Sequence, residues 1–184
     1  MEDKHVEKTN LEAELILYAC PRGPLAAQIE AYFTQSQVQV GPNRAHGYMP
    51  HCTLTGFFHD QHSAIPLYVQ ATQQALNRHP DGAVTIDALY LKQSWHGLAL
   101  TSPWLEAVAA SFAAQAANVS TRLDDIRLKT GLHLSLAYGF ETGQHKALAQ
   151  LAETLIDITQ PVTWHIKLYE RHRPGSWTCH WPIR

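Results

Sequence analysis

The chain is short of cysteine and of charge, and it has no long apolar run. Its three cysteines among 184 residues, Cys20, Cys52 and Cys179, are odd in number and share no C-x-x-C spacing. That argues against a disulfide framework or a cysteine-based metal site and predicts free thiols in a reducing compartment. Charged residues make up only 16%, with Lys+Arg 14 against Asp+Glu 16 and a formal net charge of -2. Proteins that wrap long duplex nucleic acid carry a basic face, so no such partner is expected. A small phosphate-bearing ligand held by a few donors fits this balance. No apolar stretch approaches the ~18 residues of a membrane span. The opening Met1-Glu2-Asp3-Lys4-His5 leads into no apolar signal region. The expectation is a cytoplasmic monomer with no membrane partner, formed of a polar N-terminal extension over 1–12 and one domain over 13–184.

Histidine is what the chain has in excess, with 12 of 184 residues. The pattern around the histidines is more telling than their number. Leu15 to Cys20 reads as a buried strand stopped by Pro21, and Pro24 to about Gln35 as a helix. A loop from Gly41 to Pro50 leads into a β-rich stretch from His51 to Phe58. Ser63 to Arg78 is helical, and Val84 to Leu91 is a strand. The order then repeats. Trp95 to Thr101 reads as a strand, and Ser102-Pro103 is an N-cap and N1 pair opening a helix to about Asn118. A strand from His133 to Tyr138 and a helix capped by Thr142 follow. Val162 to Tyr169 and Trp177 to Ile183 are the last strands, joined by a turn at Arg173-Pro174-Gly175-Ser176.

Two tetrapeptides mark the repeat: His51-Cys52-Thr53-Leu54 and His133-Leu134-Ser135-Leu136, offset by 133 − 51 = 82. The spacing predicts an α+β fold of duplicated β-α-β-α-β units, halves at about 13–92 and 93–184, with a cleft between two lobes. Residues two apart in a strand face the same side. His51 therefore shares a face with Thr53, and His133 with Ser135, each pair backed by apolar neighbours. Two imidazoles and two hydroxyls that converge suit phosphodiester hydrolysis without a metal. One ring accepts a proton from water, the other donates one to the leaving oxygen, and the hydroxyls bond the non-bridging oxygens. The symmetry leaves open which histidine is the acid.

H-x-[ST]-x twice, about eighty residues apart on matching strands, resembles the 2H (two-histidine) phosphoesterase superfamily, over nearly the whole chain. That group includes cyclic nucleotide phosphodiesterases and RNA 2′,3′-cyclic phosphodiesterases. The resemblance implies a bilobal fold with antiparallel sheets lining a central groove. It also implies cofactor-free hydrolysis of a cyclic phosphodiester, with His51 and His133 as the acid/base pair and Thr53 and Ser135 as phosphate ligands. The expected substrates are small nucleotides or short RNA ends.

Around this constellation, Tyr48, Phe57 and Trp177 are candidates to stack on a base. Tyr138, by strict alternation, faces away from His133 into the core. Arg44, Arg127 and Lys129 lie in the loops leading into the motifs, where they add positive potential if they face the cleft. His46 is expected outside the cleft, and His59, His62, His79 and His145 are expected solvated at turns or helix starts. His165, His172 and His180 are scattered about the last hairpin. Two rival readings stand beside the enzyme: a non-catalytic nucleotide- or RNA-end-binding module on the same fold, and a histidine-rich metal-binding protein. The intact four-residue constellation speaks against the binding module, which would have no chemical need for both imidazoles, and no metal is expected, since zinc sites want at least three ligands at tight spacing.

Overall fold

A computed structural model describes residues 12–172 and 176–182. Most of the polar extension, three residues of the last turn and the end of the last strand lie outside the described residues.

Eight antiparallel strands form one sheet: β1 (Glu12–Arg22), β2 (Cys52–Thr53), β3 (Phe58–Gln61), β4 (Thr85–Lys92), β5 (Trp95–Thr101), β6 (His133–Tyr138), β7 (Thr163–Arg171) and β8 (Trp177–Trp181). Among the described residues four α-helices accompany them: α1 (Pro24–Gln39), α2 (Ile65–Arg78), α3 (Pro103–Ala116) and α4 (His145–Leu155). The fold is α+β, as the element pattern predicts. The strand order is β4-β5-β6-β2-β1-β7-β8, with β3 also paired to β1. With β8 set aside as an addition to the second repeat, this reads in terms of the two sequence repeats as last, first, second, then second, first, last. The order is symmetric about the β6–β2 seam, and each repeat lends its final long strand to the other repeat's side of the sheet. One residue pair, Cys52 with Leu134, closes that seam.

Apolar spacing explains how the sheet is covered. Leu25, Ile29 and Tyr32 of α1 are fully buried, as are Leu105, Val108 and Phe112 of α3. They join Leu15, Leu17, Leu98, Leu134 and Leu136 of the strands in one core. The Ser102 hydroxyl accepts from the Leu105 N–H at 3.1 Å, so α3 begins where its cap and proline specify.

Several expectations need correction. The first strand runs through Pro21, which pairs with Trp164 of β7. Its missing N–H lies on the β2 side, where pairing has already ended at Ala19. Of the stretch from His51 to Phe58 only Cys52–Thr53 and, at its end, Phe58 are strand; between them the Thr55 hydroxyl accepts the Leu17 N–H at 3.1 Å in place of a ladder bond. Thr142 does not cap α4; a 3-10 turn over Thr142–Gln144 precedes that helix, and Glu141 and Gln144 cap the turn reciprocally. Tyr138 is not in the core. A register shift opposite His96 and Gly97 puts an extra residue into β6, so Leu136 and Ala137 are both buried and Tyr138 turns back toward the His133 face.

Candidate functional site

The seam places the repeated motifs side by side. Because Cys52 pairs antiparallel with Leu134, extending the register one residue each way sets Thr53 opposite His133 and His51 opposite Ser135. Each imidazole thus faces the other repeat's hydroxyl. All four side chains line one cleft of about 620 Å³, within the range of small-molecule sites, roughly 300–1,000 Å³.

The two histidines are held alike. His51 Nδ1 lies 2.7 Å from the Met49 carbonyl oxygen, and His133 Nδ1 lies 2.9 Å from that of Gly131. A carbonyl only accepts, so each Nδ1 carries the hydrogen and each Nε2 is left for chemistry. The duplication extends to these contacts, each made to the residue two positions back.

Their surroundings differ. His51 is half-buried, its ring centroid 3.9 Å from that of the buried Tyr18. Burial pushes its pKa down to about 4; the Met49 carbonyl works the other way and the neighbouring His133 adds to the depression. His51 is neutral across the physiological range. His133 is exposed and meets Trp95 edge-on, ring centroids 5.6 Å apart.

Trp95 was missed by sequence reasoning, which saw only the start of a strand. Its indole Nε1–H donates to Ser135 Oγ at 2.9 Å, so the serine's own proton is directed elsewhere. The structural reason is Gly97. It occupies in β5 the place Tyr18 occupies in β1, since Gly97 pairs with Ser135 as Tyr18 pairs with Thr53. A Cβ on Gly97 would stand 2.4 Å from Trp95 Cζ2. The absent side chain is the space the indole fills. A Trp-x-Gly on one strand face was the available signal.

The other candidates divide. Tyr48 and Phe57 line the cleft. Trp177 does not; it packs behind them, ring centroids 5.4 Å from Tyr48 and 6.3 Å from Phe57. Arg127 and Lys129 line the cleft, whereas Arg44 packs over Gly139 at its edge. His46 stays outside, bonded to Ser36 Oγ and the Asn43 N–H.

Several of the histidines expected to be solvated have partners. His59 bonds Asp124 at 2.8 Å, and His96 and His145 face each other at 3.0 Å. His62 and His180 bond the two oxygens of the buried Glu170, at 2.7 and 2.8 Å. Among the described residues no group of three or more His, Cys, Asp or Glu is arranged to hold a metal ion. No helix among them is long and apolar enough to cross a membrane.

The chain has homologues. It is 30% identical over 179 residues to an ecdysteroid-phosphate phosphatase of Bombyx mori, a match covering 91% of this chain and 26% of that protein. A protein of the same name from Drosophila melanogaster is 32% identical over 197 residues, covering 86% of this chain and 26% of the relative. Ubiquitin-associated and SH3 domain-containing protein B of Homo sapiens is 31% identical over 167 residues, covering 88% and 25%. The chain thus spans about a quarter of the length of these relatives, and the matched quarter includes most of this chain. No protein-family model matches it.

Proposed function

We propose that this chain is a 2H-type phosphoesterase that opens cyclic phosphodiesters, above all nucleoside 2′,3′-cyclic phosphates or short RNA ends bearing them. The observation that carries this reading is the convergence of His51, Thr53, His133 and Ser135 on one cleft, with both Nδ1 atoms tied to carbonyls. The phosphatase name of two relatives supports phosphoester chemistry as a class. With the reading goes an organisation over 13–184 as one bilobal unit of two repeats.

In the proposed reaction a water oxygen attacks phosphorus in line with the leaving ribose oxygen. The P–O bond to water forms as the P–O bond to the ribose breaks. Neutral His51 takes the water proton on Nε2, and His133 gives a proton from its Nε2 to the leaving oxygen. Exchange with solvent restores both rings. His51 is given the base role because its burial leaves the ring unprotonated at neutral pH and so free to take a proton, and the acid role falls to the other ring of the pair. Thr53 and Ser135 donate to the non-bridging oxygens, where charge accumulates. Trp95, holding Ser135 Oγ as an acceptor, positions that donation.

The test is a panel of 2′,3′-cyclic nucleotides, 2′-5′-linked dinucleotides and phosphomonoesters, assayed in chelator with products assigned by phosphorus NMR. Turnover of the cyclic substrates to a single monoester is expected. Tight binding without turnover would replace the enzyme by a binding module, and turnover of monoesters alone would replace the reaction.

A further inference from the structure

The cleft is charged in a way the two histidines do not use. The chain as a whole is slightly acidic, with Asp+Glu 16 against Lys+Arg 14. Yet the residues lining the cleft include Arg127 and Lys129 and no carboxylate. Both cations come from the segment leading into the His133 motif.

That segment is fixed at both ends. At its start the Asp124 carboxylate accepts from the His59 N–H at 2.7 Å and meets the His59 ring at 2.8 Å, while the Leu123 N–H donates to the His59 carbonyl. At its end Leu128 bridges Thr55, the Gly56 N–H donates to the Arg127 carbonyl at 2.7 Å, and the Lys129 N–H donates to the Leu54 carbonyl at 3.0 Å. The backbone under both cations is therefore held against Leu54–Gly56, the segment that directly follows the first motif.

The acids nearby are engaged elsewhere. Asp124 is turned to His59, and Asp125 faces Arg122 at 3.8 Å. Among the described residues no carboxylate lies within ion-pairing distance of Arg127 or Lys129. Asp124 still feels the charge of Arg127 from beyond ion-pairing distance, but two cations without a direct carboxylate partner, on a fixed backbone beside the two histidines, are placed to take an anion.

We propose that Arg127 and Lys129 hold a second phosphate of the substrate, carried on the same molecule as the cyclic phosphodiester. This rests on the reading above and narrows it. The preferred substrate is not a lone 5′-hydroxyl nucleoside cyclic phosphate; it bears a further phosphate, either at its 5′ position or as the linkage to a preceding nucleotide.

Three substrates distinguish these sources: adenosine 2′,3′-cyclic phosphate, its 5′-phosphorylated form, and a 5′-hydroxyl dinucleotide ending in a 2′,3′-cyclic phosphate. The expected kcat/KM is roughly tenfold to a hundredfold higher on one or both phosphorylated forms, the ratio a charge-assisted contact gives. In a double variant, Arg127→Gln with Lys129→Gln, that ratio should collapse toward one. Equal kcat/KM on all three substrates overturns the proposal, as does a preference that survives in the double variant. Calorimetry with adenosine 2′,5′-bisphosphate against adenosine 2′-monophosphate asks the same question without turnover. A bisphosphate advantage lost in the double variant supports the subsite even if no cyclic phosphate is cleaved, and equal affinity refutes it.

Discussion

The residues of the cleft are paired by the duplication and separated by what each repeat places behind its histidine. Tyr18 backs His51 in the first repeat; in the second, Gly97 leaves room for Trp95 to reach across to Ser135. Trp95→Phe keeps most of the packing and removes the N–H. It should lower kcat while leaving the thermal midpoint nearly unchanged, and steady-state kinetics with a melting curve checks both. Gly97→Ala is the harsher change, since its Cβ would press on the Leu134 carbonyl oxygen and on Trp95, both at 2.4 Å. Overpacking of this kind costs about 1–3 kcal/mol, so this variant should lose both stability and turnover. The asymmetry also fixes a pH dependence. If His51 is the base, kcat/KM on a cyclic nucleotide rises with pH along a limb centred near 4, the value set by its burial. A limb near the ordinary value of 6.5 would place the base elsewhere.

At the scale of elements, the motif strands were legible in the sequence because side-chain parity in a strand is strict. His51 with Thr53 and His133 with Ser135 follow from that rule alone. The same rule misplaced Tyr138, because a bulge resets parity and nothing in the residues around Leu136 announces one. Arg127 and Lys129 were visible only as loop cations, since their direction depends on bridges to Leu54, Thr55 and Gly56 that no local pattern encodes. The last hairpin shows a further long-range effect. Glu170 on β7 is buried between His62, from the turn before α2, and His180 on β8, and the bonds of His180 and His62 hold its carboxyl below the usual range although burial alone would raise it. Glu170→Ala removes charged hydrogen bonds worth about 2 kcal/mol and should lower the melting temperature by roughly 4–8 °C at pH 7. An unchanged melting temperature would mean that the clasp does not hold the hairpin.

For the whole molecule, the strand order explains why a cleft forms at all. Each repeat gives its last long strand to the other's side of the sheet, and a single residue pair closes the seam. The histidine excess resolves into two rings aimed at the cleft and others that tie segments together. Several of these groups act on acid stability in one direction. Burial depresses His51 and His96 to about 4, and His59 and the Glu170 partners hold Asp124 and Glu170 low. For each, the unfolded chain binds more protons than the folded one, so stability is full at neutral pH; the histidine part is lost as pH falls from about 6.5 through 4, and the carboxylate part only below the ordinary values of 4.5 for Glu170 and 3.8 for Asp124. His59, raised by Asp124 and Glu14 against its own desolvation, opposes this. Melting temperatures at pH 7 and pH 4.5 should differ clearly, the acid sample melting lower; equal values would contradict the burial ascribed to these rings.

In the proposed reaction two histidines, one from each repeat, share the hydrolysis of a cyclic phosphodiester. The most direct measurement is turnover of a nucleoside 2′,3′-cyclic phosphate in chelator by the wild-type chain and by His51→Ala and His133→Ala. Wild-type turnover is expected, with a loss of about 10²–10⁴ in kcat in each variant and folding retained. Full activity in either variant, or activity that vanishes with the chelator alone, would contradict it.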